Sequence, residues 1–183
     1  MKKSLAIPFL VIAFALSACS SEKSADKNMN DMKDKNISSN SMENKDNDNS
    51  LNLEDRDGNK VSLDSFKGKK TYIKFWASWC PICLSSLGEL DELSNGNGDY
   101  QVVSVVAPDQ MGEKSKKDFI KWFDGLEYKN INTLYDTSGD FIKKFNVKST
   151  PTNVFLDSEG KLVKVAPGAL DKDTINEIFK QIK

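Results

Sequence analysis

Lys74-Phe75-Trp76-Ala77-Ser78-Trp79-Cys80-Pro81-Ile82-Cys83 is the stretch on which the reading of this chain turns. On its N-terminal side, Thr71 to Trp76 is rich in β-forming residues and predicts a strand. On its C-terminal side, Pro81 to Leu93 carries Ile82, Leu84, Leu87, Leu90 and Leu93 at helical spacing, with a proline where a first helical turn tolerates one. The two cysteines stand where the strand meets the helix. Three residues apart in a first turn, their Cα atoms fall within disulfide range. Cys80 at the helix start would face unpaired backbone N–H groups and the positive end of the backbone dipoles. Both favour thiolate, the attacking species in thiol–disulfide exchange. Cys83, one turn in, is expected to be more buried and less reactive until Cys80 is engaged.

Two other uses of the pair weigh less. As a structural staple it would close a loop of about four residues, worth only ~2 kcal/mol on the chain-entropy model against ~4.7 for a loop of about 100. As half of a zinc site it lacks partners, because the chain has no histidine and only one further cysteine, Cys19. The absence of histidine also removes Cys–His and Ser–His nucleophile pairs, and Leu84 rather than histidine follows Cys83, which excludes c-type haem attachment. The formal charge is −1 and Arg56 is the single arginine, a poor basis for nucleic-acid recognition. No metal or cofactor site is read, and none is expected.

Working outward, Leu51 to Leu53 and Val61 to Leu63 alternate about Asp57-Gly58 and predict a β-hairpin. Gln101 to Ala107 reads as a buried strand, Glu113 to Phe123 as a helix with Phe119, Ile120 and Phe123 inward, Thr133 to Tyr135 as a short strand and Ser138 to Phe145 as a short helix. Asn153 to Leu156 and Leu162 to Val165 flank a second hairpin turn. Asp171 to Ile182 closes the chain as a helix with Ile175, Ile178, Phe179 and Ile182 inward. This order predicts an α/β domain over 51–183, a central mixed sheet with helices on both faces.

Upstream the pattern differs. Lys2 and Lys3 precede an apolar run from Leu5 to Leu16, too short for a comfortable membrane span of about 20 residues but the length of a signal-peptide core. Leu16-Ser17-Ala18-Cys19 resembles the bacterial lipobox. The expectation is a signal peptide over 1–18 and a diacylglycerol thioether on Cys19, whose two chains suffice for stable anchoring. Residues 19–50 are then a lipidated tether. Ser20 to Ser50 holds no aromatic residue, glycine or proline, so it is expected to be disordered, with a reach of roughly 30 Å.

The Lys74 to Cys83 segment resembles the active-site segment of thioredoxins, and most closely the membrane-tethered TlpA/ResA branch. Asp57 to Lys69 is similar to that branch's N-terminal extension, and the Glu113 to Tyr135 region resembles its inserted helix and strand. Ser149-Thr150-Pro151-Thr152 matches the family's cis-proline loop, with Gly160-Lys161 and Gly168 beyond it. The resemblance covers Leu51 to Lys183. It implies a thioredoxin fold with an N-terminal hairpin extension and an inserted helix–strand. Cys80 is then the nucleophile, Cys83 the resolving cysteine, and Trp79, Pro81, Ile82, Thr150 and a cis Pro151 the substrate contacts. A cis bond at Pro151 would leave the Thr150 backbone free to pair with an extended substrate beside Cys80.

Two departures stand out. Where thioredoxins carry a buried acid, this chain has Lys74, and where the ResA branch often has a glutamate, it has Ser86. Lys74 could stabilise a thiolate from behind the pair, or Glu89 accept its proton. Equally, Lys74 could simply snorkel to solvent. A peroxidase is disfavoured, since Ala77 stands where peroxiredoxins need threonine. The function expected is an extracytoplasmic thiol–disulfide oxidoreductase, lipid-anchored to the bacterial membrane and monomeric. In the family such proteins reduce exported proteins, for example methionine sulfoxide reductases or apocytochromes, and are re-reduced by a DsbD/CcdA-type membrane protein. A disulfide-forming oxidase, and a surface-binding lipoprotein that keeps the scaffold, stay open as alternatives.

Overall fold

Alternation along one buried strand organises the domain. In the computed structural model, which describes residues 51–96 and 98–182, the strand runs Lys70–Phe75, and every residue of it but Lys70 is buried. The expected signal peptide, lipidated Cys19 and tether lie outside the described residues. Successive side chains of a strand point to opposite faces. Ile73 and Phe75 join Leu53, Leu63, Phe66, Val105, Leu134, Phe141, Val154 and Leu156 in one core. Tyr72, with Trp76 just beyond the strand, joins Cys80, Cys83, Leu87, Leu90, Phe119, Phe155, Ile175 and Phe179 in the other. A strand with no polar face must be covered on both sides, and helices do so.

In chain order the elements are β1 (Leu53–Glu54), β2 (Lys60–Val61), a 3-10 helix (Leu63–Phe66), β3 (Lys70–Phe75), α1 (Pro81–Ser85), α2 (Leu87–Leu93), β4 (Tyr100–Val106), α3 (Lys116–Phe123), β5 (Thr133–Tyr135), α4 (Asp140–Lys144), β6 (Thr152–Leu156), β7 (Leu162–Pro167) and α5 (Lys172–Gln181). The seven strands form one mixed sheet in the order β2-β1-β5-β4-β3-β6-β7. β3 pairs in parallel with β4, Lys70 opposite Tyr100, and antiparallel with β6, Thr71 opposite Leu156. β6 and β7 form the second hairpin, with Thr152 opposite Pro167. The pattern of strands and helices implied the mixed sheet, and the fold is thioredoxin-like, as the resemblance of the Lys74 to Cys83 segment implied.

Three elements differ from expectation. The first hairpin forms about Asp57-Gly58, but its strands are only two residues each. Leu63 is drawn into the 3-10 helix, capped by the Ser62 hydroxyl on the Asp64 N–H. The single helix expected over Pro81 to Leu93 is broken at Ser86, which sits at φ −106° and ψ 8°. The Ser86 hydroxyl bonds back to the carbonyls of Ile82 and Cys83, at 3.2 and 3.0 Å, a competition with the helical ladder that bends helices. Finally, α3 begins at Lys116 rather than Glu113, because Ser115 caps it by accepting the Asp118 N–H. Glu113 is left outside the helix and turned inward, where it is buried.

α3 is secured by an aromatic cluster. The Phe119 ring, fully buried, lies 5.6 Å from Trp76, 5.5 Å from Trp122, 5.7 Å from Phe123 and 5.9 Å from Tyr135. Because Trp76 leads directly into the cysteine turn, this cluster also backs the site. Replacing Phe119 with alanine is expected to cost about 3–5 kcal/mol of unfolding free energy, read from equilibrium urea denaturation. A loss below about 1 kcal/mol would show that the cluster does not brace the domain.

Candidate active site

The backbone leaves β3 under tight control. The Trp76 N–H bonds to the Val105 carbonyl, and its indole N–H donates to the Ser104 hydroxyl at 2.6 Å. Two residues on, the Ser78 N–H and hydroxyl both donate to the Glu113 carboxylate, at 2.5 and 2.6 Å. The Cys80 N–H then closes a turn onto the Ala77 carbonyl, and α1 starts at Pro81, whose missing N–H costs nothing in a first helical turn.

Cys80 is the N-cap of α1, and its Sγ accepts the Cys83 N–H at 3.3 Å. The two cysteines are joined as a disulfide, with their Cα atoms 5.2 Å apart. Cys83 is wholly buried, and Cys80 keeps the little exposure the pair has, 0% against 4%. Any reagent from solvent therefore meets Cys80 first. Once the bond is reduced, the N–H that already faces Cys80 Sγ favours its anion over its thiol.

The other side of the site comes from the loop before β6. The Thr150–Pro151 peptide is cis. The Thr150 carbonyl lies 3.7 Å from Cys80 Sγ. The Pro151 carbonyl accepts the Gly168 N–H at 2.8 Å, tying the loop to the end of β7. Asn153 reinforces that tie by donating to the carbonyls of Ala166 and Gly168 while accepting the buried Tyr72 hydroxyl. Cys80, Cys83, Thr150 and Pro151 are thus brought together across the fold, with Trp79, Pro81 and Ile82 exposed at the rim.

Lys74 does not reach solvent. It is 3% exposed, points to the same side of the sheet as Tyr72 and Trp76, and donates from Nζ to the Ser86 hydroxyl at 2.6 Å. Burial lowers its pKa to about 8, with the Glu89 carboxylate pulling weakly the other way. Glu89 itself accepts the Lys172 N–H at 2.7 Å, at the start of α5.

Glu113 escaped the sequence reading altogether. Its spacing from Phe119 and Phe123 suited a helix, and nothing local points to Ser78, which lies 35 residues away. Its carboxylate also accepts the Lys114 N–H, while the Lys114 ammonium donates to the Ser78 hydroxyl at 2.7 Å. Among the described residues no cluster of side chains suited to holding a metal ion is found.

This geometry agrees with what the chain is similar to. The Redoxin family model matches residues 25–182. The thiol-disulfide oxidoreductase ResA of Bacillus subtilis is 30% identical over 135 residues, 72% of this chain and 71% of its own length. The crystal structure of the pneumococcal exposed lipoprotein thioredoxin Etrx1, from Streptococcus pneumoniae strain TIGR4, superimposes with a TM-score of 0.67 at 48% identity, over 71% of this chain and 97% of that one. The N-terminal domain of PilB from Neisseria gonorrhoeae does so at 0.65 and 26% identity, over 72% and 88%.

The Lys74 environment sets a pH dependence of stability. Below pH 8 the ammonium is charged in the folded and the unfolded chain, and folding bears the full penalty of burying it. Between about 8 and 10.5 the unfolded chain still holds a proton that the folded chain has released, so stability rises with pH. Lys74→Met is therefore expected to be more stable than the parent at pH 7. That advantage should shrink by up to about 3 kcal/mol on going to pH 10, measured by urea denaturation at both pH values. An advantage that does not change with pH would mean that the ammonium is not buried.

Proposed function

The chain belongs to the Redoxin family and is a thioredoxin-like thiol–disulfide oxidoreductase, and from that premise we propose that it is a reductase of disulfides in exported proteins. The observation that carries the chemistry is the Cys80–Cys83 pair, with Cys80 outward, Cys83 sealed beneath it and a backbone N–H already aimed at the outer sulfur.

The reaction follows from that arrangement. In the reduced protein the Cys80 thiolate attacks one sulfur of a substrate disulfide. That bond breaks, the other substrate sulfur leaves as a thiolate and takes up a proton, and Cys80 is left in a mixed disulfide. Cys83 then gives up its proton and attacks Cys80 Sγ, expelling the second substrate thiol. Two electrons have passed to the substrate, and the Cys80–Cys83 disulfide remains. The mixed disulfide is short-lived because its resolving sulfur is one helical turn away. Thr150, Pro151, Trp79, Pro81 and Ile82 hold the substrate segment at Cys80 during the attack.

Lys74 is the better placed of the two groups read as tuning the pair. It sits beneath the junction of α1 and α2 with its amine on Ser86, whereas Glu89 has committed an oxygen to the Lys172 N–H. With a pKa near pH 8, the amine can hold or release a proton in the range where thiols titrate.

The reductive direction rests on the resemblance to the ResA branch, as does re-reduction by a DsbD/CcdA-type membrane donor. Methionine sulfoxide reductases and apocytochromes are the substrates that resemblance suggests. The same reading puts a monomeric domain outside the membrane, held by lipid on Cys19. It is supported by the Leu16–Cys19 motif and by the likeness to an exposed lipoprotein thioredoxin. Among the described residues no helix is long and apolar enough to cross a membrane.

The deciding measurement is the reduction potential of the Cys80–Cys83 couple, by equilibration against glutathione. A reductase is expected at or below about −200 mV, in the range of glutaredoxins and thioredoxin. A value near −120 mV, that of DsbA, would overturn the direction and favour a disulfide-forming oxidase. Cys83→Ala expressed in the source cell should in addition hold its substrate on Cys80 as a stable mixed disulfide.

A further inference from the structure

Resting on that reading, we propose that the loop from Ala107 to Ser115 is a third side of the substrate surface. It selects an apolar side chain next to the attacked cysteine of an extended protein segment, and Met111 is the residue that reads it.

Five large apolar side chains are exposed among the described residues. Leu162 and Val163 lie at the end of β7 remote from Pro151, since Leu162 pairs with Leu156 whereas Pro167 pairs with Thr152. Of the other three, two belong to the cysteine motif itself and the third lies in the loop that packs on it. Trp79 is 49% exposed and Ile82 57%, both within the cysteine motif, and Met111 is 38% exposed. Met111 is tied to the motif through its neighbour. The backbone at Gly112 runs along the edge of the Trp79 indole, so close that a Cβ built on it would lie 3.5 Å from Nε1 and 3.8 Å from Cε2.

The loop is held in this place at a cost. Of the three non-glycine residues with positive φ among those described, two are in it, Asp109 at 60° and Met111 at 49°, with Gly112 at 82° beside them. A methionine in the left-handed region is strained, because its Cβ crowds the following carbonyl oxygen. It persists only where the surroundings over-determine it, and such residues gather at ligand clamps.

Here the determinants are visible. The Asp109 N–H bonds the Lys114 carbonyl, the Glu113 N–H bonds the Gln110 carbonyl, and the Gln110 amide donates to the Asp136 carbonyl at 2.8 Å. Above all, the buried Glu113 carboxylate receives the N–H and hydroxyl of Ser78, two residues before the attacking sulfur. A buried carboxylate is tolerated only when its oxygens are met by donors, and three donors meet these. The result is a rigid brace between Met111 and Cys80, 31 residues apart in sequence.

The apolar side chains that this brace holds beside the pair are Trp79, Pro81, Ile82 and Met111, and the exposed acid of the same loop, Asp109, stands two residues before Met111. Lys114, the nearest cation in sequence, is engaged elsewhere. Its ammonium bonds the Ser78 hydroxyl and lies 5.3 Å from the centre of the Trp122 ring. The occupant that fits is therefore an aliphatic or aromatic side chain. A thioether that can adapt its shape suits a site that meets several such segments.

The test uses peptide dimers linked by a single intermolecular disulfide, identical except for leucine or asparagine beside the cysteine. Both residues are uncharged, so the thiols leave equally well. The parent protein is expected to reduce the leucine peptide with a kcat/KM about tenfold above that for the asparagine peptide. Met111→Asn removes the apolar contact while placing a residue at home at positive φ, so the loop should keep its shape. It is expected to lower the leucine-to-asparagine ratio by about three- to tenfold, and Met111→Leu is expected to keep it. A ratio unchanged in Met111→Asn, or absent in the parent, overturns the inference. Hydroxyethyl disulfide, which has no flanking side chain, separates the two failures. A parent protein that cannot reduce even this compound fails as an oxidoreductase, whereas one that reduces it but shows no peptide preference fails only as a selector.

Discussion

A chain that passes from a buried strand into a helix must find acceptors for the N–H groups at the helix start, and here a sulfur answers one of them. The Cys83 N–H points at Cys80 Sγ, and the Leu84 N–H bonds the Cys80 carbonyl. Cys80 is therefore at once the cap of α1 and the outer atom of the redox pair. The arrangement holds only if the approach to it is fixed. Trp76 does this from the core side, through its indole N–H on Ser104 and its packing on Phe119. Ser78 does it from the loop side, through Glu113.

Two buried ionisable groups flank this turn, and they are treated differently. Glu113 has its carboxylate met by three N–H or O–H donors, so its desolvation is offset by hydrogen bonds. Lys74 has the Ser86 hydroxyl on its Nζ, and Glu89 acts on it only as a charge, so burial prevails and the pKa falls to about 8. The first arrangement makes a brace between two loops. The second leaves a group close to its titration point behind the reactive pair. Ser86, which receives the Lys74 amine, is also the residue that breaks the helix, so the electrostatics behind the pair and the bend in its helix depend on one hydroxyl.

Much of the architecture was legible in the residues. The buried strand over Thr71 to Trp76, the run from Gln101 to Ala107, the second hairpin and the last helix each carry a periodic apolar pattern, and each is present in the structure within a residue or two. What was misread lies where a side chain overrules the pattern. The apolar residues from Ile82 to Leu93 keep helical spacing throughout, yet Ser86 divides them. Glu113 continues the spacing of α3 backwards, yet Ser115 takes the cap and releases it. Hydrophobic periodicity reports which face a residue belongs to, and it is blind to a hydroxyl or carboxylate that competes for backbone groups.

The residues alone determined what lies within one turn of chain. Two cysteines at i and i+3 after a strand, with proline between them, lie within disulfide range, because spacing and helix geometry set both their distance and the N–H that faces them. The rest of the site depends on atoms far apart in sequence. Thr150 is 70 residues from Cys80, Glu113 35 from Ser78, and Ser86 12 from Lys74. Whether Lys74 reached water or was sealed under α1, and whether Glu113 faced solvent or Ser78, was decided only when the sheet brought β3, β4 and β6 together. Burial and hydrogen-bond partners belong to the packed chain, and no local run of residues specifies them.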